Sequence, residues 1–97
     1  RSLSMAGDMA FRSVRHRVIR YICELAERNG YQTPGVGMVI DAAPSGDELA
    51  MAIGAARQSV STILAELIRS GEITRPIPRR LIVTDLDRLR LELQRSS

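Results

Sequence analysis

The side chains best suited to chemistry form a polar stripe on one helix that the sequence predicts, at Arg57, Gln58, Ser61 and Thr62. An arginine fork can donate two parallel hydrogen bonds to a guanine edge, an amide can bond adenine, and a threonine can contact a thymine methyl group. The same residue types are typical of the solvated face of any surface helix. From these residues alone, a solvated helix face is the favoured interpretation, and recognition of DNA bases is the alternative.

Residues for catalysis or metal binding are scarce. Cys23 is the only cysteine, so the chain can form no intramolecular disulfide and no paired-cysteine metal site. We interpret Cys23 as a small core residue rather than a sensor. His16 has no second histidine or cysteine near it to share a metal, and Asp85 and Asp87 are typical of acids that begin a helix. Because no nucleophile–base pair or metal constellation is visible, we expect no enzyme.

Length and charge predict one small domain with a basic surface. The chain has 97 residues, and a hydrophobic content of 44% is enough for one core. The net charge is +3 and all fourteen basic residues are arginine; residues 29–56 contain none of them and residues 57–97 contain eight. A basic balance suits a polyanionic partner, although a charge this small is weak evidence.

The sequence shows no targeting or membrane segment. No apolar run approaches the ~20 residues that span a bilayer, and no signal peptide is evident. We therefore expect a cytoplasmic protein with no membrane partner. The first residue is Arg1 rather than methionine, so we expect either a piece of a longer protein or the remnant of an expression tag.

Residues 45–73 predict two helices joined by a tight turn. Ser45 and Glu48 have the spacing of a capping box, which begins the first helix. Gly54 stands where a turn needs a positive φ, and Ser70-Gly71 ends the second helix. The second helix has one apolar stripe with helical spacing, which predicts a buried face, at Val60, Ile63, Leu64, Leu67 and Ile68. This is the helix-turn-helix layout, whose second helix enters the DNA major groove.

Upstream of this pair the sequence predicts an amphipathic helix and a loop. Ser13 is a suitable N-cap, and Asn29-Gly30 ends the helix. Residues 1–12 are interpreted as the end of an earlier element followed by a hinge. Residues 31–37 are predicted to form a loop, with a turn at Gly35–Gly37. Four arginines near the start of the helix are interpreted as mostly a solvated face, at Arg12, Arg15, Arg17 and Arg20. An ion pair with an acid elsewhere is the alternative for Arg17.

Short strands and a last helix complete the predicted domain. Met38–Ile40 is a strand candidate ahead of the helix pair, and Glu72–Arg75 and Leu81–Thr84 are two more after it. Pro76 and Pro78 cannot donate to a ladder, so we place them in the connection between those two strands. Asp85 then caps a helix whose apolar residues are Leu86, Leu89 and Leu93. A hairpin after a helix-turn-helix is the wing of a winged helix.

This order of elements resembles the C-terminal DNA-binding domain of the Crp/Fnr superfamily of bacterial transcription regulators. The resemblance rests on residue type and offset in five groups of residues. These are Phe11-Arg12-Ser13-Val14 with Arg17, Leu25-Ala26 with Gly37-Met38, Glu48-Leu49-Ala50 with Ile53-Gly54, Arg57-Gln58-Ser59-Val60-Ser61-Thr62-Ile63-Leu64, and Leu67 with Gly71-Glu72-Ile73. It implies an α+β, mainly α fold, a winged helix-turn-helix with a small β-sheet over residues 13–97. Residues 1–12 would be the tail of a dimerisation helix and a hinge, the recognition helix about 56–70 and the wing about 72–84.

The resemblance also implies which residues touch DNA. It assigns base contacts to Arg57, Gln58 and Thr62. It assigns phosphate contacts to Ser45, Ser59, Ser61, Arg79 and Arg80, with Arg75 a weaker candidate. The alternatives are an ordinary helix cap for Ser45, a tolerated residue at position 59, and a solubilising turn for Arg79 and Arg80.

Three residues depart from the family pattern, and two of these departures change the expected target. Ala56 stands where the family usually has a serine or threonine cap, Gln58 replaces a glutamate, and Thr62 replaces a second arginine. A guanine contact by Arg57 carries over. The operator positions that the family reads through its glutamate and its second arginine do not, because Gln58 and Thr62 replace those residues. The resemblance thus implies an operator that differs from the best-known one.

The partners that the resemblance implies lie mostly outside this chain. They are double-stranded DNA, a second copy in a full-length homodimer, and RNA polymerase through loop 31–37. An effector domain would lie upstream, and we expect no cofactor within this piece. Two other interpretations remain open: a winged helix that binds protein, which would expose apolar residues on its recognition helix, and a DNA-binding winged helix of another regulator family.

Overall fold

A computed structural model describes the backbone of residues 2–96 and the side chains of residues 12–95. The side chain of Phe11, which contributes to the family resemblance, lies outside that part. The elements in chain order are α1 (Ser2–Asn29), β1 (Gly30–Thr33), β2 (Gly37–Asp41), α2 (Gly46–Ile53), α3 (Arg57–Arg69), β3 (Ile73–Ile77), β4 (Arg80–Val83) and α4 (Leu86–Ser96). This confirms the predicted winged helix-turn-helix with a small sheet.

One apolar core joins the helices to one face of the sheet. It is aliphatic, as expected from a sequence with only 3% aromatic residues. Its largest fully buried side chains are Val18, Ile19, Ile22, Ile40, Val60, Ile63, Leu67, Ile73, Leu81, Val83 and Leu89. Because α1 and α3 both bury their stripes here, the position of α3 depends on its packing against α1.

Helix α1 begins earlier than the sequence predicted. We expected Ser13 to cap it after a hinge, but the helix runs without a break from Ser2 to Asn29. The prediction of a cap was wrong because serine is tolerated inside a helix. The glycine at position 7 adds a cost of only about 1 kcal/mol relative to alanine.

The segment predicted to be the loop 31–37 is partly a strand. Residues 30–33 form β1, which pairs antiparallel with β2 through Gly30↔Ile40 and Thr33↔Gly37. The predicted turn follows, closed by a 3.0 Å bond from the Val36 amide to the Thr33 carbonyl. A Cβ at Gly37 would lie 2.5 Å from the Val83 carbonyl oxygen. The sequence did not show β1, because four mixed residues lack a strand pattern.

The wing is the hairpin of β3 and β4 at one edge of an antiparallel sheet with strand order β1-β2-β4-β3. Pro76 lies inside β3 and not in the connection as we predicted, whereas Pro78 lies in the connecting turn. Pro76 is tolerated because β3 is an edge strand and its register with β4 shifts between Thr74 and Ile77.

The last helix closes the core as predicted. Asp85 accepts a 3.3 Å bond from the backbone amide of Arg88 at the start of α4, and Leu89 is fully buried. One residue of the predicted stripe on α3 is misplaced, since Ile68 is 45% exposed. No helix in the described part of the chain has the length and apolarity that a bilayer crossing needs.

Candidate nucleic-acid interface

The first helix of the pair begins with the predicted capping box. The backbone amide of Glu48 donates to Ser45 Oγ at 3.1 Å, and the Ser45 amide donates to Glu48 Oε1 at 2.9 Å. The bond from the Ser45 amide, together with nearby Arg79, holds the pKa of the Glu48 carboxyl below its usual value. The start of α2 is therefore fixed by local sequence.

The turn between the two helices is built on Gly54 and supported by α1. Gly54 has φ 68° and ψ 42°, the left-handed conformation that glycine adopts at least cost. Arg17 Nη2 on α1 donates to the carbonyl oxygens of Ile53 at 2.5 Å and Gly54 at 3.1 Å. We had interpreted Arg17 as part of a solvated face, and that was wrong, because its guanidinium satisfies the carbonyls that end α2.

A second arginine of α1 is also structural rather than solvated. Arg15 Nε donates to Glu92 Oε2 at 2.6 Å, and Arg15 Nη1 donates to Glu66 Oε1 at 3.0 Å. The Arg15 side chain is only 24% exposed. The hydrogen bond to Glu92 raises the pKa of the guanidinium, although burial opposes this shift. Arg15 thus connects α1 to α3 and to α4 at the same time.

Helix α3 presents the polar stripe to solvent. Its inner face buries Val60, Ile63 and Leu67, and the opposite side exposes Arg57, Gln58, Ser61 and Thr62. Ser59 is half-buried at the edge. The N-cap, Ala56, has an extended backbone and makes no side-chain cap bond. The Thr62 hydroxyl donates to the Gln58 carbonyl oxygen at 3.0 Å.

Arg57, at the first position of α3, pairs with an acid on α2. Its Nε lies 3.3 Å from Asp47 Oδ1, and its Nη1 lies 3.5 Å from Asp47 Oδ2. The two side chains are 72% and 65% exposed. Both distances exceed the 2.7–2.9 Å usual for a charge-assisted bond, so this is a loose surface pair. Asp47 was not among the predicted site residues, since no local pattern links residues ten apart on different helices.

The wing arginines differ in how firmly they are held. Arg79 Nη1 lies 3.4 Å from Glu48 Oε1, so the wing tip reaches the start of α2. Arg80 Nε donates to Asp41 Oδ1 at 2.8 Å, and the Tyr31 hydroxyl donates to the other oxygen of the same carboxylate. The hydrogen bond from Arg80 lowers the pKa of Asp41 most, and the hydrogen bond from Tyr31 lowers it further. Arg80 is therefore engaged on the sheet, whereas Arg79 is held more loosely.

Arg75 joins the wing to the helix pair. Its guanidinium donates to the carbonyl oxygens of Pro78 at 2.9 Å and of Pro44 at 3.0 Å. Burial lowers the pKa of Arg75. Arg75 also lines an open groove of about 310 Å³ with Gly46 and Ser61. The start of α2, the middle of α3 and the wing therefore meet at one groove, which sequence spacing could not indicate.

Six of the predicted site residues lie on one connected surface, and two do not. Arg57, Gln58, Ser61 and Thr62 share the exposed side of α3, and Ser45 and Arg79 are connected to it through the first turn of α2. The two outliers are Ser59, which is partly covered, and Arg80, which is paired with Asp41.

Other chemistry finds little support in the described residues. No cluster of three histidine, cysteine or carboxylate side chains within them could hold a metal ion. Cys23 is 4% exposed, and burial raises the pKa of its thiol to about 11. This agrees with the interpretation of Cys23 as a core residue.

Several solved structures share this fold, and one of them is a transcription factor. The CO-dependent transcription factor CooA from Carboxydothermus hydrogenoformans, in its imidazole-bound form, is 26% identical over 95% of this chain, with a TM-score of 0.80. The reduced CO-sensing protein from R. rubrum is 24% identical over 93% of this chain, with a TM-score of 0.73. Oxidised CprK in complex with o-chlorophenolacetic acid is 22% identical over 99% of it, with a TM-score of 0.78. The last two show the fold alone.

This chain is shorter than those three proteins. It spans 42% of the CooA chain and 40% of each of the other two. No curated protein sequence matched it. The model of the Crp-like helix-turn-helix domain matches residues 16–92, which include every element from β1 to β4. The chain therefore belongs to the Crp-like helix-turn-helix family and contains the winged DNA-binding domain of a Crp/Fnr-type transcription regulator.

Proposed function

We propose that this chain recognises a specific sequence in double-stranded DNA, with α3 in the major groove and the β3–β4 wing at the flanking backbone. One observation carries the proposal: α3 anchors its inner face in the core while four polar side chains remain exposed on its outer face. The major groove of B-DNA admits one helix, and each base pair there has its own pattern of donors and acceptors.

Three side chains of α3 would read bases. Arg57 is the first, with a fork that matches the O6 and N7 acceptors of guanine. Gln58 is exposed and can bond adenine through its amide. Because the Thr62 hydroxyl already donates to a backbone carbonyl, its methyl group is the better candidate for contact, with a thymine methyl as partner.

Phosphate contacts would surround the base-reading residues. The Ser45 hydroxyl accepts the capping bond and still has its own proton to donate. Ser61 and the start of α2 line one groove, where backbone amides favour an anion. Arg79 is the stronger candidate on the wing, since Arg80 is paired with Asp41. The exposed edge of α3 next to Ser59 completes the proposed backbone surface.

The full-length protein would act as a two-fold dimer on a palindromic site. One α3 would occupy each half-site, with half-sites about one helical turn apart. Effector sensing would belong to residues upstream of this chain, and contact with RNA polymerase would use residues 31–37, which form β1 and its turn. We expect the isolated chain to be monomeric or weakly dimeric and to bind DNA weakly.

The exposed side of α3 favours DNA over a protein partner. A protein-binding winged helix should expose large apolar side chains there. Among the described residues of α3, Ile68 is the only large apolar side chain that is exposed, and it lies near the C-terminal end, away from Arg57. The polar stripe is better suited to base edges.

Selection from a random pool of duplexes at low salt tests the proposal. The chain should enrich one motif, and log K should fall linearly with log salt concentration at a slope of about −0.9 for each phosphate contact. Arg57→Ala should lose preference at one base pair, at a cost of ~1–3 kcal/mol on the selected duplex. Arg28→Ala removes an exposed arginine on α1 and is the matched control.

Two results would count against this function. Binding that does not depend on salt would exclude the electrostatic contacts. A selected motif that is identical for the wild type and for Arg57→Ala would remove Arg57 from base reading.

A further inference from the structure

We propose that Asp47 is a positioning residue for DNA recognition, whose carboxylate orients the Arg57 guanidinium so that a free edge of the fork faces a guanine. The proposal rests on the function proposed above and adds a determinant of specificity on α2. Asp47 would act through Arg57 and would not itself need to touch a base.

The helix-turn-helix geometry brings the two residues together. Asp47 lies in the first turn of α2, and Arg57 is the first residue of α3. The positive φ of Gly54 reverses the chain between them, and Arg17 holds that turn from α1. The side chains of Asp47 and Arg57 meet across the helix pair, and their ion pair lies on the exposed surface where α3 would meet DNA.

The atoms involved leave donors free for a base. A guanidinium has five N–H groups. Asp47 lies near Nε and Nη1 of Arg57, at 3.3 and 3.5 Å, so both N–H groups of Nη2 and one of Nη1 remain. Two parallel N–H groups are what the O6 and N7 acceptors of guanine require. Carboxylate and guanine can thus bind one fork at the same time.

An unrestrained Arg57 would discriminate less well between bases. Arginine carries about 2 kcal/mol of rotamer entropy, and a free guanidinium near DNA can pair with a phosphate of any sequence. A partner on the same protein that limits those rotamers favours the geometry of base contact. Its negative charge also repels phosphates, which lowers affinity for every sequence alike. Asp47 would therefore lower the affinity for all DNA sequences and increase the discrimination between bases.

The chain contains a matched control for this effect. Asp87 also lies in the first turn of a helix, is 88% exposed and pairs with an arginine, Arg90, at 3.2 Å. That pair belongs to α4 and not to the helix pair. Asp47→Asn and Asp87→Asn remove the same charge from equivalent helical positions. A difference between their effects on DNA binding is therefore due to the place of Asp47 beside Arg57.

The experiment compares affinities for two duplexes. One is the duplex selected by the wild type, and the other differs only at the base pair whose preference Arg57→Ala loses. The ratio of the two dissociation constants measures discrimination. Asp47→Asn should lower the ratio by about 1.4- to 5-fold, which is the range that exposed ion pairs contribute. Asp87→Asn should leave it unchanged, and Asp47→Asn should have no further effect in the Arg57→Ala background.

Each other result overturns the proposal in a recognisable way. If Asp47→Asn strengthens binding to both duplexes equally and keeps the ratio, Asp47 only competes with phosphate for Arg57. If Asp47→Asn still changes the ratio in the Arg57→Ala background, Asp47 acts independently of Arg57. If the wild type selects no motif, the proposed function itself fails. Thermal melts establish that each variant is folded, and Asp47→Ser repeats the comparison with a different side chain.

Discussion

The Arg17 guanidinium on α1 donates a 3.1 Å hydrogen bond to the carbonyl oxygen of Gly54, the residue that turns the chain from α2 to α3. The last carbonyls of a helix have no intrahelical donor and carry the negative end of its dipole. A guanidinium at the end of a helix donates hydrogen bonds to those carbonyls and interacts favourably with the negative end of the dipole. Through this contact α1 controls the turn that sets the direction of α3.

Loss of Arg17 should therefore destabilise the helix pair. Arg17→Met keeps the length of the side chain but removes both hydrogen bonds, and we expect a loss of about 1–3 kcal/mol in the free energy of unfolding. Urea denaturation monitored by circular dichroism measures this. Arg12→Met, at an exposed position of α1, should change stability by less than about 0.5 kcal/mol. Equal effects of the two variants would show that the contact with Gly54 contributes nothing.

Arg15 should couple α1 to α4 more strongly than to α3. Its bond to Glu92 is 2.6 Å, against 3.0 Å to Glu66, and Glu92 is the less exposed acid. Arg15→Met should cost about 1–3 kcal/mol. Double-mutant cycles with Glu92→Gln and Glu66→Gln measure the two couplings. A larger coupling energy for the pair with Glu66 would contradict the geometry.

The missing cap on α3 can be restored. The N-cap Ala56 is exposed and has φ −67° and ψ 137°, the extended conformation that a capping serine adopts. Ala56→Ser should raise the free energy of unfolding by ~0.5–2 kcal/mol. Ala52→Ser, at an exposed position inside α2, provides the control, since serine is unfavourable there. A thermal melt that shows no gain for Ala56→Ser would mean that the α3 amides are already satisfied.

Stability should fall in acid partly through Glu48. Its folded-state pKa lies below the ordinary value because the carboxylate accepts from the Ser45 amide and lies near Arg79. A lowered folded pKa stabilises the native state above the ordinary glutamate pKa, and this contribution is lost as pH falls through the folded value. Urea midpoints from pH 7 to pH 3 should decline less steeply for Glu48→Gln than for the wild type. Glu24→Gln, on the exposed side of α1, is the control for the substitution itself.

The Cys23 thiol should be unreactive in the native state. It is almost fully buried, and its pKa is raised to about 11, so little nucleophilic thiolate exists at pH 8. Ellman's reagent should label the native chain many times more slowly than the chain in urea. Equal rates would show that α1 opens readily around Cys23.

Much of the fold was predictable because it is specified by local sequence. The capping box at Ser45 and Glu48, the positive φ at Gly54 and the end of α3 at Ser70-Gly71 all depend on neighbouring residues. The exposed stripe of α3 also follows from its period of 3.6 residues. For the same reason the boundaries of the helix pair were correct to within a residue.

Elements defined by their neighbours in space were predicted less well. The strand β1 has too few residues to show alternation and exists because it pairs with β2. Pro76 is acceptable in β3 only because that strand lies at the edge of the sheet. Neither feature can be read from a window of adjacent residues.

By itself the sequence determined the winged helix-turn-helix and the polar face of α3, since helix period, caps and turns act over a few residues. Tertiary structure alone decided which arginines remain available to a partner. Arg15 pairs with a residue 77 positions away, and Arg17 donates to one 36 positions away. Arg75 is held by two backbone carbonyls, whereas Arg57 stays exposed beside Asp47. All four are the same residue type, and packing across the core places them against different partners.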